Sequence, residues 1–300
     1  MNFGDCPSHF PSIVSCGEVS QSVYDHAELL IITGSSSNHF YPNINCMYTI
    51  LLYNIQTSIV FVDFGISERE LKNLGNTFES INKLYKQYNS TAQLYYRKFN
   101  FANFPAFFNI HSLSVGGYSW KVVSYTDVLE ECQGPLFWTD AGTLLNPSMF
   151  KEIEYMKENG IYSPSSPGTI GDWVYPRSIQ FMIQHKLIEK VDEKKSMCTG
   201  GYLFMDGKNH TILKRIIYPL LQCAYTEKCI VPKPSTRLDH RQDQAILTLL
   251  IHNMNIQKSC DDNYSIIPAF RRDCMDLRSC RKIRSVILSN ITAKYSLVSI

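Results

Sequence analysis

The sequence predicts an α/β protein: a Rossmann-type, mostly parallel sheet flanked by helices, in a single domain with a cysteine-rich C-terminal tail. Three observations carry this. Residues 27–34 and 58–65 are near-continuous apolar runs of strand length ending at glycine, as strands buried on both faces do. Apolar residues at spacings of three and four lie between and after them, which is helical periodicity. A later run, 135–142, delivers one carboxylate, Asp140, into a small-residue turn, and ligands bind at the carboxyl ends of parallel strands.

The elements follow in order. A strand over 27–34 leads to a helix over 42–54, a strand over 58–65, and a helix from Ser67. Glu68 and Glu70 fall in the first turn of that helix, where the dipole favours carboxylates. A strand over 94–99 and a helix over 118–132 precede the Asp140 strand. This alternation is the signature of parallel strands joined by helical crossovers. Beyond it a helix covers 147–159, and Pro164, Pro167 and Gly168 mark 163–168 as a loop. Helices over 177–187, 210–225 and 243–252 enclose a strand at 198–205 that contains Gly200 and Gly201. The domain spans 27–256, with a nucleotide-binding half at 27–150 and an acceptor half at 151–256. Residues 1–26 form an extension and 257–300 a tail.

Composition excludes several classes. Hydrophobic residues at 44% and charged residues at 19% suit a globular chain with a large core, not a disordered one. A net charge of +2 gives no reason to expect nucleic acid or an anionic membrane as partner. The late basic cluster from Arg271 to Arg284 is expected as a solvated face. The most apolar stretch, 47–64, is interrupted by Asn54, Gln56 and Asp63, so no membrane span is expected. Ten cysteines without a CxxC pair point to disulfides rather than zinc, with the pairing open. Four glycosylation sequons, at Asn89, Asn209, Asn263 and Asn290, agree with a secretory location. The expectation is therefore the ER or Golgi lumen, or secretion. The cytoplasm is the alternative, because residues 1–26 lack a signal-like apolar segment.

Several polar groups fall at strand ends or helix starts: Asp63, Lys121, Asp140, Gly200 with Gly201, and the segment His240, Arg241, Gln242, Asp243, Gln244. A site for an activated sugar needs cations against a diphosphate, carboxylates for a metal or for hydroxyls, and glycines where backbone approaches the ligand. Asp140 has a second reading as a helix N-cap, and Asp243 as a first-turn carboxylate.

With these residues in this order, the chain resembles the nucleotide-diphospho-sugar transferases, the glycosyltransferases of the GT-A fold. The likeness is to an animal branch well represented in nematodes, and it spans about 27–253. It rests on Val62 to Gly65, Tyr118 to Lys121, Phe137 to Gly142, Gly200-Gly201, Cys223 with Cys229 to Pro232, and His240 to Gln244. The resemblance implies a nucleotide-sugar donor and a glycan, protein or lipid acceptor, with Mn²⁺ or Mg²⁺ as cofactor. Asp140 stands where the family's paired-acid motif holds the metal, with one carboxylate instead of two, and His240 is a second candidate ligand. Donor contacts are implied for Asp63, Lys121, Trp138, Asp140, Gly200, Gly201 and Arg241. Catalytic roles are implied for Asp243, Gln244 and Asp172. The retained single Asp also admits a catalytically eroded relative acting as a lumenal or secreted binding module. A dehydrogenase, P-loop enzyme or α/β-hydrolase is disfavoured, since GxGxxG, GxxxxGK[ST] and GxSxG are all missing.

Overall fold

The computed structural model of the protein describes residues 6–12, 14–16, 29–145, 149–264, 270–271, 274 and 277–296. Its strands are β1 (Val14–Ser15), β2 (Leu30–Ser35), β3 (Ser58–Asp63), β4 (Leu94–Lys98), β5 (Pro135–Thr139), β6 (Thr143–Leu144), β7 (Ile161–Tyr162), β8 (Ser165–Thr169), β9 (Ser196–Cys198) and β10 (Tyr202–Asp206). Its helices are α1 (Phe40–Tyr53), α2 (Glu68–Gln87), α3 (Ser119–Cys132), α4 (Met149–Asn159), α5 (Ile170–Trp173), α6 (Pro176–Gln184), α7 (His210–Ile212), α8 (Tyr218–Ala224), α9 (Glu227–Ile230), α10 (Gln242–Asn253) and α11 (Leu277–Ser296). The fold is mixed α/β, with a mostly parallel sheet flanked by helices, as expected. Residues 27 and 28 of the first expected strand, and Pro147 of the fourth expected helix, lie outside the described residues.

The chain divides into two compact units that interleave in sequence. One comprises Asn2–Phe99, Leu136–Phe150 and Ile267–Ile300, and the other Asn100–Pro135 and Lys151–Ile266. The first, the sheet unit, runs in the order β1-β4-β3-β2-β5 with every pairing parallel. Every residue of β2 and β3 is buried, which is why both appear in the sequence as unbroken apolar runs. The N-terminal extension adds an edge strand, β1, held near the Cys6–Cys16 disulfide. Ser67 and Glu70 close a reciprocal capping box at the start of α2.

The C-terminal tail, left without structure by the sequence, forms the 20-residue α11 on α1. Ile287 and Ile291, one turn apart, are its buried seam. Lys294 Nζ donates to the carbonyls of Leu52 and Tyr53 at 2.9 and 3.0 Å, placing a cation where the last turn of α1 exposes acceptors. The Tyr295 hydroxyl donates to Leu51 O and accepts from Ile55 N, both at 3.0 Å. Cys274–Cys280 closes a small loop into α11.

The second unit holds α3, α8 and α10 with two antiparallel strand pairs, β7 with β10 and β8 with β9. The β8 pairing corrects the expected loop at 163–168: Pro and Gly marked it as irregular, yet Ser165 and Ser166 pair with Cys198 and Met197 before a bulge at Thr169. The single strand expected at 198–205 is two, β9 and β10, divided at Gly200-Gly201. Cys198–Cys260 and Cys223–Cys229 close loops here, while Cys46 and Cys132 are buried cysteines outside the disulfides. No helix among the described residues is long and apolar enough to cross a membrane.

Candidate functional site

In the sheet unit, β2, β3 and β4 advance to one side and β5 then pairs on the other side of β2. Strand order therefore reverses between β2 and β5, and a crevice opens at the carboxyl ends of strands at such a point. The β2 end is the small-residue turn Gly34, Ser35, Ser36, and the β5 end delivers Asp140. Gly34 is required by packing: a Cβ there would sit 2.4 Å from Val62 O.

Asp140 is half-buried, and its Oδ1 accepts from the Trp138 indole Nε1–H at 2.8 Å. It does not cap a helix. Ala141, Gly142 (φ 81°) and the short β6 follow it, and α4 starts only at Met149. Trp138 is itself 1% exposed, so its ring is fixed by the core and fixes the carboxylate in turn. Nearby, burial pushes the Cys46 thiol up to about 12, so it stays protonated and inert.

Asp63 has a different occupation from that expected. Its Oδ1 accepts from the backbone N–H groups of Gly65 (2.7 Å) and Ile66 (2.8 Å), and Oδ2 accepts from the Tyr96 hydroxyl (2.8 Å). Burial holds the Tyr96 phenol far above its ordinary range, so it remains a donor. This carboxylate locks the β3–α2 turn, with Gly65 at φ 106°, and a donor ligand would have to displace those bonds.

The second unit gathers its own set. Lys121 Nζ lies 2.6 Å from Asp243 Oδ2 and donates to Gly200 O at 3.0 Å, with both side chains under 10% exposed. A Cβ on Gly200 would meet Gln244 Cβ at 3.0 Å and Asp243 Oδ2 at 3.1 Å, so this glycine lets β9–β10 touch the start of α10. Gly201 N–H donates to Thr199 Oγ1 at 3.3 Å. Lys121, expected to contact the donor, and Asp243, expected to act in catalysis, form a buried, mutually neutralising pair.

What positions Lys121 was not anticipated. Val115, Gly116, Gly117 and Tyr118 all have φ between 51° and 63°, a left-handed turn feeding directly into α3. A Cβ on Gly116 would fall 2.2 Å from Phe108 O and one on Gly117 2.6 Å from Val231 Cγ2. Trp120 Nε1–H ties the turn down by donating to Val115 O at 3.0 Å. Gln242, itself at φ 51°, donates from Nε2 to Ser114 O at 2.8 Å and joins the same turn to α10. The Tyr118 ring lies 5.2 Å from both Lys121 Nζ and Arg237 Cζ. The Gly116-Gly117 pair was the available signal.

Four further residues complete the account. Exposed Arg241 stacks 3.9 Å over the Trp173 ring, and Gln244 is half-buried beside Gly200. Asp172 is exposed and accepts at Oδ2 from Thr169 N (2.8 Å) and Thr169 Oγ1 (2.9 Å), which lowers its pKa; it caps α5. His240 Nδ1 accepts from Tyr175 N–H at 3.2 Å, leaving Nε2–H to donate to Ile230 O at 3.1 Å. Burial lowers its pKa to about 4, so it is neutral. With both nitrogens engaged, His240 would have to give up one of these bonds to bind a metal.

Among the described residues no three His, Cys, Asp or Glu side chains form a group able to hold a metal ion. Asp140 alone is less than a divalent cation takes from a protein cage. The described residues form no protein-built metal centre.

No family model matches this chain, and no curated protein matches it. Solved structures do. A galactosyltransferase, LgtC, in complex with donor and acceptor sugar analogues is 15% identical, with 87% of this chain and 95% of that one covered and a TM-score of 0.46. Mouse xyloside xylosyltransferase 1 is 10% identical over 75% of this chain and 80% of its own, with a TM-score of 0.43. Core-mannan synthase A from Aspergillus fumigatus, in a Mn/GDP form, is 7% identical over 75% and 69%, with a TM-score of 0.40. These three are a galactosyltransferase, a xylosyltransferase and a mannan synthase.

Proposed function

We propose that this chain is a glycosyltransferase that takes a sugar from a nucleoside diphosphate and passes it to an acceptor hydroxyl. The observation that carries the proposal is Asp140, presented half-buried and oriented by Trp138 at the carboxyl end of β5, where strand order reverses beside the Gly34–Ser36 turn. A carboxylate held this way accepts hydrogen bonds from donor hydroxyls, and a serine turn leaves room for a nucleotide. Any divalent ion would draw most of its ligands from the diphosphate and water, with Asp140 as one.

In the second unit the Lys121–Asp243 pair acts as a positioning element. It pins Gly200 against the start of α10, and so sets Gln244 and Arg241 as the polar groups offered to a ligand. In the transfer, the bond from the sugar carbon to the diphosphate oxygen breaks, its electron pair staying on the diphosphate, as the acceptor oxygen bonds that carbon and gives its proton to the departing diphosphate or to water. Stabilising the departing diphosphate and fixing the acceptor are the main contributions asked of the protein. The four disulfides favour an oxidising compartment, hence the ER–Golgi lumen or secretion.

A thermal-shift panel of nucleoside diphosphates and their sugars, with and without Mn²⁺, tests this. Ligand at about 100 times Kd adds roughly 2.7 kcal/mol to stability, so one base should raise the melting temperature clearly. Absence of a shift from every nucleotide overturns the proposal. The single Asp at 140, where the resemblance implies a pair, favours a second reading, a binding module that has lost turnover. Nucleotide binding without donor hydrolysis or transfer supports it, whereas hydrolysis that disappears in Asp140→Asn supports the enzyme.

A further inference from the structure

One face of α6 is unaccounted for by the site above. Arg177, Gln180, Phe181 and Gln184 fall at i, i+3, i+4 and i+7, so they share one stripe of the helix. They line a cavity of about 440 Å³ whose opposite wall is the segment from Glu227 to Lys233. That volume lies in the range of small-ligand sites. The inner face of α6 is committed: Ser178 Oγ donates to Cys229 O at 2.7 Å, and Met182 is fully buried. The outer stripe therefore stands on a fixed helix, and the Cys223–Cys229 disulfide constrains the facing segment.

The lining has a definite chemistry. Two carboxamides, each with paired donors and an acceptor, suit vicinal hydroxyls. The Phe181 ring supplies an apolar face for a pyranose, and His185 stacks on it at 3.9 Å and 16°, holding its orientation. Three cations, Arg177, Lys228 and Lys233, stand against one acid, Glu227. Lys233 pairs with Glu227 at 3.1 Å, and Arg177, which lines the groove, donates from Nη1 to the Lys233 carbonyl. Lys228 is exposed and forms no ion pair among the described residues.

We infer that this groove between α6 and the Glu227–Lys233 segment binds an anionic saccharide, the carboxylate or sulfate meeting Arg177, Lys228 and Lys233 while Gln180, Gln184 and Phe181 hold the ring. The inference rests on the glycosyltransferase proposal for its consequence, that the acceptor glycan is acidic. The binding itself stands on the groove.

The test is calorimetric titration of the full chain with a glucuronic-acid-containing disaccharide, its carboxyl-reduced neutral counterpart, and sodium sulfate. The acidic disaccharide should bind at least about tenfold more tightly than the neutral one, as expected for a charge-assisted hydrogen bond. Lys228→Ala with Lys233→Ala should abolish that preference, and Gln180→Ala with Gln184→Ala should weaken acidic and neutral sugars alike. All four residues are surface side chains, so thermal melts of the variants should match the parent, and Lys228→Glu provides a second charge probe. No binding, equal binding of both disaccharides, a preference that survives the lysine changes, or sulfate binding as tightly as the sugar each overturns the inference. The nucleotide panel is read separately. Disaccharide binding without a nucleotide shift removes the transferase proposal and leaves the groove; the converse removes the groove alone.

Discussion

Glu152 on α4 is 0% exposed, and neither carboxyl oxygen has a hydrogen-bond partner among the described residues. Burial raises its pKa from the ordinary 4.5 to about 8. Near neutral pH the folded protein therefore holds a proton that the unfolded chain has released. Stability is full below about pH 4.5 and falls as pH rises toward 8, because the unfolded state sheds the proton first. At about 1.36 kcal/mol per pH unit, the whole span corresponds to roughly 5 kcal/mol, of which about 4 is lost by pH 7.4. Glu152→Gln keeps the shape and stays neutral at every pH. Urea unfolding at pH 4.5, 6 and 8 should show parent and variant equal at the lowest pH and the variant more stable by several kcal/mol at the highest. Equal pH dependence of the two proteins would refute the reasoning.

Other expectations concern the polar groups that hold the candidate site. Lys121→Met leaves Asp243 buried without its cation and should cost about 3–5 kcal/mol, whereas Lys121→Met with Asp243→Leu should recover most of it, read by denaturant midpoints. His240→Asn should lower the melting temperature through loss of the Tyr175 and Ile230 hydrogen bonds, yet leave any Mn²⁺ affinity unchanged by titration. Asp63→Ala removes three acceptor contacts and should destabilise the β3–α2 turn by about 2–4 kcal/mol. Unlike Asp140→Asn, the conservative Asp63→Asn should retain nucleotide binding.

The parallel core was legible because β2, β3 and β5 are buried on both faces and so leave uninterrupted apolar runs, with helical spacing between them. Asp140 was legible for the same reason, as the first charged residue after such a run. Three things were not. The pairing of β8 with β9 is a long-range contact that the local signals of Pro164, Pro167 and Gly168 oppose. The tail helix depends on α1, whose last carbonyls Lys294 caps, and periodicity shows no partner. The functions expected of Asp63, Lys121, His240 and Asp243 were set by residue type, while the bonds these side chains make come from residues elsewhere in the chain. Tyr96, Gly200, Tyr175 and Ile230 lie 33, 79, 65 and 10 residues away in sequence. Local chemistry finds the polar residue; only the fold shows whether its oxygens and nitrogens are already in use.

The account turns on whether the carboxylate at the β5 end grips a nucleotide sugar. Isothermal titration of the nucleotide sugar that shifts the melting temperature, into parent protein and Asp140→Asn, measures this directly. Weakening by about tenfold or more, with ligand-free melting temperatures unchanged, is the predicted result. Equal affinities for the two proteins would contradict it.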